Sequence, residues 1–130
     1  MESRYGFGRE VALTFSEARS RVTEALAAEG FGVLTEVDVA ATFKRKLNLD
    51  APPYVILGAC NPAFAHRAMS ADPSIGLLLP CNVVVREDTE GTVHVEALDP
   101  VAMFSLVDAP GVEPLANEVR ARLKHALDAV

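Results

Sequence analysis

The residues from Tyr54 to Val85, YVILGACNPAFAHRAMSADPSIGLLLPCNVVV, constrain this chain more than any other stretch, because two apolar runs flank a segment built of helix and turn signals. Tyr54, Val55, Ile56 and Leu57 make a β-branched and aromatic run too short for a helix and preceded by Pro52-Pro53, which predicts a buried strand. Gly58 and Ala59 thin its end, where another element can approach the backbone. Asn61-Pro62 predicts a helix start: asparagine offers an acceptor to the free amides of the first turn, and proline at the first helical position loses no bond. Asp72-Pro73 ends that helix near Ala71. On it Phe64, Ala68 and Ala71 share one side, whereas His66, Met69 and Ser70 project from the other. Pro80 cannot donate to a ladder, so the second strand begins at about Cys81, and Ile75 to Pro80 is an ordered apolar approach.

The same stretch holds both cysteines of the chain, each followed by asparagine. If its two strands are antiparallel neighbours, the exit of one lies beside the entrance of the other, and Cys60-Asn61 meets Cys81-Asn82. Cys60, Asn61, Pro62, His66, Pro80, Cys81 and Asn82 would then set a few oriented polar groups against apolar walls, the usual make-up of a ligand pocket.

The remaining elements follow from period and punctuation. Val11-Ala12-Leu13 is expected as a short strand entering Thr14, which with Glu17 has capping-box spacing. Phe15, Ala18, Val22, Ala25 and Leu26 repeat as one buried helix face, stopped by Gly30. Phe31 to Val37 alternates as a strand, with Phe31, Val33, Thr35 and Val37 on one face. Asp38 caps a helix over Val39 to Leu47, with Ala40, Phe43 and Leu47 expected to pack inward. Lys44-Arg45-Lys46 is the one basic cluster, read as solvating the end of that helix. Val83 to Glu87 and Thr92 to Leu98 predict a hairpin, with His94 and Glu96 on its wet face. Asp99-Pro100 opens a short helix. The last helix carries Leu115, Ala116, Val119, Leu123, Ala126 and Leu127 on one stripe, with Glu118 and Arg122 outside.

GACNPAFAHRAM followed by GLLLPCNVVV resembles the paired signature of the bacterial family known as domain of unknown function three-hundred-two. GFGVLTEVDVAATFKRKLN and DPVAMFSLV with its following helix fit the same pattern, so the likeness runs over nearly the whole chain. The resemblance implies an α+β domain of β-α-β(n)-α order, with an antiparallel sheet, helices on one face and a TATA-binding-protein-like topology, commonly a homodimer. It also makes haem a candidate cofactor, although no matched motif fixes an iron ligand. His66 is the candidate axial group, and Tyr54, Cys60, Met103 and Phe104 the candidate lining.

Composition narrows the partners. At 130 residues, half of them apolar, the chain is expected to fold as one domain, 1–130, without disulfides or structural metal. No run approaches the roughly 20 apolar residues of a membrane span, and the polar start MESRYGFGRE lacks a signal-peptide centre, so a cytoplasmic protein is expected. The net charge of −6 argues against nucleic acid, whose partners are basic. No metal-ligand set is present, and two cysteines are too few for a zinc finger.

The expectation is therefore a homodimeric cytoplasmic protein that binds or senses a small molecule near the two Cys-Asn pairs. A thiol enzyme using Cys60 and Cys81 is the alternative, for Cys60 precedes a helix start and His66 and Arg67 lie on that helix. Whether any reaction is catalysed, and by which residue, stays open at this point.

Overall fold

The structure, a computed structural model, describes residues 2–130. Five strands, β1 (Gly6–Val11), β2 (Gly32–Asp38), β3 (Tyr54–Cys60), β4 (Cys81–Glu87) and β5 (Val93–Leu98), form an antiparallel sheet in the order β1-β5-β4-β3-β2. The helices are α1 (Phe15–Ala28), α2 (Val39–Leu47), α3 (Pro62–Ala71), α4 (Pro100–Phe104) and α5 (Val112–Asp128), with a 3₁₀ helix at Pro73–Leu78. The fold is the expected α+β class. Among the described residues no helix is long and apolar enough to cross a membrane.

Strand alternation divides the sheet into two unlike faces. On the covered face Val55, Leu57 and Ala59 of β3, Cys81, Val83 and Val85 of β4, and Val93, Val95 and Ala97 of β5 are all buried. Ala18, Val22 and Leu26 of α1 close over them, together with the whole predicted stripe of α5. Each of the larger side chains contributes roughly 1.5–3 kcal/mol by leaving water. The opposite face carries Tyr54, Ile56, Asn82, Val84, Arg86, His94, Glu96 and Leu98, and neither α1 nor α5 covers it.

Four expectations are corrected. The first strand is Gly6–Val11 rather than Val11–Leu13, and it brings Phe7 into the core opposite Ala97. Its glycines hid the alternation; a side chain at Gly8 would meet the Glu96 Cγ at 2.8 Å.

In β2, Val33 pairs with Ala59 and Thr35 with Gly58, leaving Leu34 as an extra residue. This bulge turns Val33 toward the core and Thr35 and Val37 toward the open face, so they do not share a side with Phe31. Leu34 itself stays 67% exposed.

Helix α2 begins where expected, the Asp38 carboxylate accepting from the Ala41 amide at 2.9 Å. None of its residues is buried: Phe43 is 41% and Leu47 60% exposed. It lies beside the open face, where Val39, Ala40 and Phe43 border a depression with Tyr54, Ile56 and Arg86.

The capping box at α1 is half formed. The Glu17 amide donates to Thr14 Oγ1 at 3.1 Å, and the Thr14 hydroxyl, rather than its amide, donates to the Glu17 carboxylate.

Candidate functional site

The two Cys-Asn corners do meet. Ala59 stands opposite Cys81 and Gly58 opposite Asn82, so the end of β3 and the start of β4 are adjacent. Pleating then separates what adjacency joins. Cys81 shares the covered face with Ala59, whereas Cys60, one residue further along, alternates to the open side with Gly58 and Asn82.

On the covered side an apolar hollow of about 20 Å³ is bordered by Phe31, Ala59, Phe64, Leu79, Phe104 and Leu115, with Cys60, Asn61 and Cys81 at its edge. That is room for about one water molecule, against the ~300 Å³ or more of a small-molecule site. Pro62, His66, Pro80 and Asn82 do not border it.

Each predicted residue has a definite place. Asn61 is the cap of α3, its Oδ1 accepting from the Phe64 amide at 3.3 Å. Its Nδ2 lies 2.8 Å from where a Cβ on Gly30 would sit, so the start of α3 packs closely on the turn that follows α1. Pro62 supplies the first residue of α3 and is exposed, as is His66. Pro80 packs over Gly58 on the open side, its Cγ 2.8 Å from where a Cβ would be. Asn82 is exposed on the open face.

The thiols are poorly placed for chemistry. Burial pushes the Cys81 thiol up from the ordinary 9.0 to about 11, with the neighbouring Cys60 adding to the rise. Burial raises Cys60 as well. A nucleophile needs the reverse shift, from a cation or a helix amino end. Both cysteines are free, and their side chains leave adjacent strands in opposite directions, a geometry that resists bridging. The haem grouping does not assemble either. Tyr54 is on the open face, His66 is exposed on the outer side of α3, and the hollow beside Cys60 and Phe104 is far too small for a porphyrin.

A ligand-sized space lies on the open face. A cleft of about 480 Å³ is bordered by Tyr5, Gly6, Tyr54, Asn82, Val84, Arg86, Glu96 and Leu98. Both tyrosines of the protein border it. Val84 and Leu98 give it an apolar floor. Arg86 donates through Nε to Glu96 at 2.7 Å, and this bond raises the guanidinium above its ordinary range. Beside it, His94 shares a hydrogen bond of 2.8 Å with Asp88, which holds the Asp88 carboxyl below its ordinary range. Among the described residues, Nη1 and Nη2 of Arg86 and the carboxamide of Asn82 have no hydrogen-bond partner.

Sequence reasoning placed one cleft residue, Asn82, in its candidate site, and set Glu96 and His94 on the wet face of the hairpin. It missed Tyr5 and Arg86. The available signal was the open-face alternation of β3, β4 and β5, which puts Tyr54, Arg86 and Glu96 side by side once the register is fixed.

A search among curated proteins returned no match. The crystal structure of uncharacterized conserved protein DUF302 from Bacillus stearothermophilus is similar throughout, with a TM-score of 0.90, 29% identity and 98% of each chain covered. The model of the family described as Domain of unknown function DUF302 matches residues 7–130. With that span covering nearly the whole sequence, the chain belongs to the DUF302 family.

Proposed function

We propose that this protein binds or senses a small molecule on the open face of its sheet, in the cleft between Tyr5 and Tyr54. The observation that supports this is the cleft's size together with its make-up: about 480 Å³, an apolar floor, and a few polar groups at fixed places in a strand register. Asn82 belongs to this site; Pro80, over Gly58, lies on the same side of the sheet without bordering the cleft, and Cys60 borders the small hollow. Cys81, Asn61 and Pro62 act as framework, and His66 lies outside. The thiol-enzyme alternative loses support from the upward shift of both thiols.

The protein also works as a homodimer in this proposal, paired through the edge formed by β2 and α2. Leu34, Val37, Phe43, Leu47 and Leu49 all lie exposed along that edge. Edge pairing leaves the cleft open. The cytoplasm is the expected setting, in keeping with two unpaired cysteines.

A panel of small organic molecules screened by thermal shift tests the proposal, since a ligand that binds only the folded state raises the melting temperature. Hits that vanish in Val84→Trp, which fills the cleft floor, support it. Hits that persist in that variant place binding elsewhere and overturn it.

A further inference from the structure

We infer that the ligand of the open-face cleft is a planar aromatic carboxylate, its ring lying on Val84 beside Tyr54 and its carboxylate held by Arg86. This rests on the cleft being the binding site. Three features specify the class.

The first is the unfinished guanidinium. Nε of Arg86 is bonded to Glu96 at 2.7 Å, so the side chain is already oriented, while Nη1 and Nη2 have no acceptor among the described residues. Two parallel donors on a rigid plane match a carboxylate better than any neutral acceptor. Glu96 neutralises the arginine without covering that edge.

The second is the aromatic wall at the arginine. Tyr54 stands directly opposite Arg86 across the β3–β4 ladder, while Tyr5 precedes β1 at the far end of the cleft, where its carbonyl accepts from the Asp99 amide at 2.9 Å. The strand registers set Tyr54 level with Glu10, well along β1 from Tyr5, so a ring bound at Arg86 lies against Tyr54 alone. A flexible aliphatic chain would gain less from that wall than a ring, which makes an offset contact with it.

The third is the floor. Gly6 has no side chain, and Val84 and Leu98 are half-buried. Val84 and Leu98 therefore give a low apolar floor beside Glu96, with the Asn82 carboxamide at its border to bond a ring substituent.

The test is a titration of the uniformly ¹⁵N-labelled full chain with sodium benzoate, with benzyl alcohol as the uncharged counterpart and sodium chloride as the ionic control. Saturable benzoate shifts of the amides of Asn82 to Arg86 and Glu96 to Leu98 are expected. Arg86→Lys, which keeps the charge and loses the fork, should weaken benzoate by about tenfold or more and benzyl alcohol by less than about twofold. Tyr54→Leu should weaken both.

Equal binding of the two compounds, unaltered by Arg86→Lys, would overturn the carboxylate and leave the cleft standing. Shifts from neither compound at these amides would remove the cleft itself as the site. Benzoate shifts centred on Lys44 to Lys46 would mean ordinary attraction to the basic cluster and overturn the inference. So would movement of the cleft amides on simple dilution, which would show that a second copy occupies the face.

Discussion

Cys60 and Cys81 are diagonal neighbours across the β3–β4 ladder, one residue out of register, and their side chains leave the sheet on opposite faces. Proximity in the backbone therefore does not become proximity of sulfur. Cys81 is 5% exposed and Cys60 half-buried, both with raised thiol pKa values. In the native protein Cys60 should react with a chromogenic disulfide first, and Cys81 only at the rate of unfolding. Mild oxidation should give no intramolecular bridge by mass spectrometry. A bridge formed at a stoichiometric dose of oxidant would show that this end of the sheet moves far more than the ladder implies.

Alkaline pH should weaken the fold through Cys81. Its pKa is about 11 in the folded state against an ordinary 9.0, so the folded form holds its proton where the unfolded form has released it. The contribution is complete below about pH 9 and is lost as pH rises toward 11. Its size is on the order of 2–3 kcal/mol. Urea midpoints of the wild type and Cys81→Ala, compared at intervals from pH 8 to 11, should converge with rising pH. Parallel curves would show that Cys81 contributes nothing to the alkaline limb.

Gly58 should resist substitution although it lies in a strand, where glycine is ordinarily a weakness. A methyl group there would run into the Thr35 hydroxyl and come within 2.8 Å of Pro80 Cγ. Gly58→Ala is expected to cost about 1–3 kcal/mol by overpacking. Gly32→Ala, two pairs along on the edge strand with nothing within 4 Å, should cost close to nothing. Denaturant unfolding of both variants gives the comparison directly.

How much of this was legible in the sequence depended on whether an element's partner lay in its own pattern. The stripe of α5, the capped start of α3 at Asn61 and the strand from Tyr54 declare themselves locally, and all are found where their residues put them. The bulge at Leu34 is a property of the pairing between β2 and β3, and nothing in GVLTEVD announces which residue will be surplus. The exposure of Phe43 and Leu47 is of the same kind. Periodicity says that α2 has an apolar side, while only the topology says that this side meets no core. The candidate site divided for a related reason. Chain adjacency was inferable from two strands joined by a short helix, but the face each residue takes is decided by register, and a shift of one residue reverses it.

Arg9 should act as a clamp on the carboxyl end of the chain. Its Nη1 donates to the carbonyls of Leu127, Asp128 and Val130 at 3.2, 3.1 and 3.1 Å, adding to the bond that Leu127 O accepts from the Val130 amide at 3.2 Å. Arg9→Met keeps the aliphatic stem and removes the donors. A loss of about 1–2 kcal/mol is expected, with faster hydrogen exchange confined to the last turn of α5. Uniform acceleration across α1 and the sheet would show a global effect instead.

The edge made by β2 and α2 carries the prediction about assembly. Five of the large apolar residues that stay in solvent fall between Leu34 and Leu49, on an edge strand, on a helix with no buried residue and just after it. A helix with an apolar side and no core to bury it against is completed by another surface. The cluster Lys44-Arg45-Lys46 lies within this edge while the chain as a whole carries −6, so the rest of the molecule is acidic enough to complement it. A second copy offers both the apolar strip and that acidity. Sedimentation of the wild type at tens of micromolar should give a dimer, and Leu47→Glu, or Leu34→Glu combined with Phe43→Glu, should give a monomer. Because Leu34, Phe43 and Leu47 are exposed in their own chain, the monomeric variants should keep the wild-type circular dichroism and lose only the concentration dependence of melting. A dimer that survives all of these substitutions would move the interface elsewhere, and a wild type that is monomeric at millimolar concentration would end the proposal of a second copy.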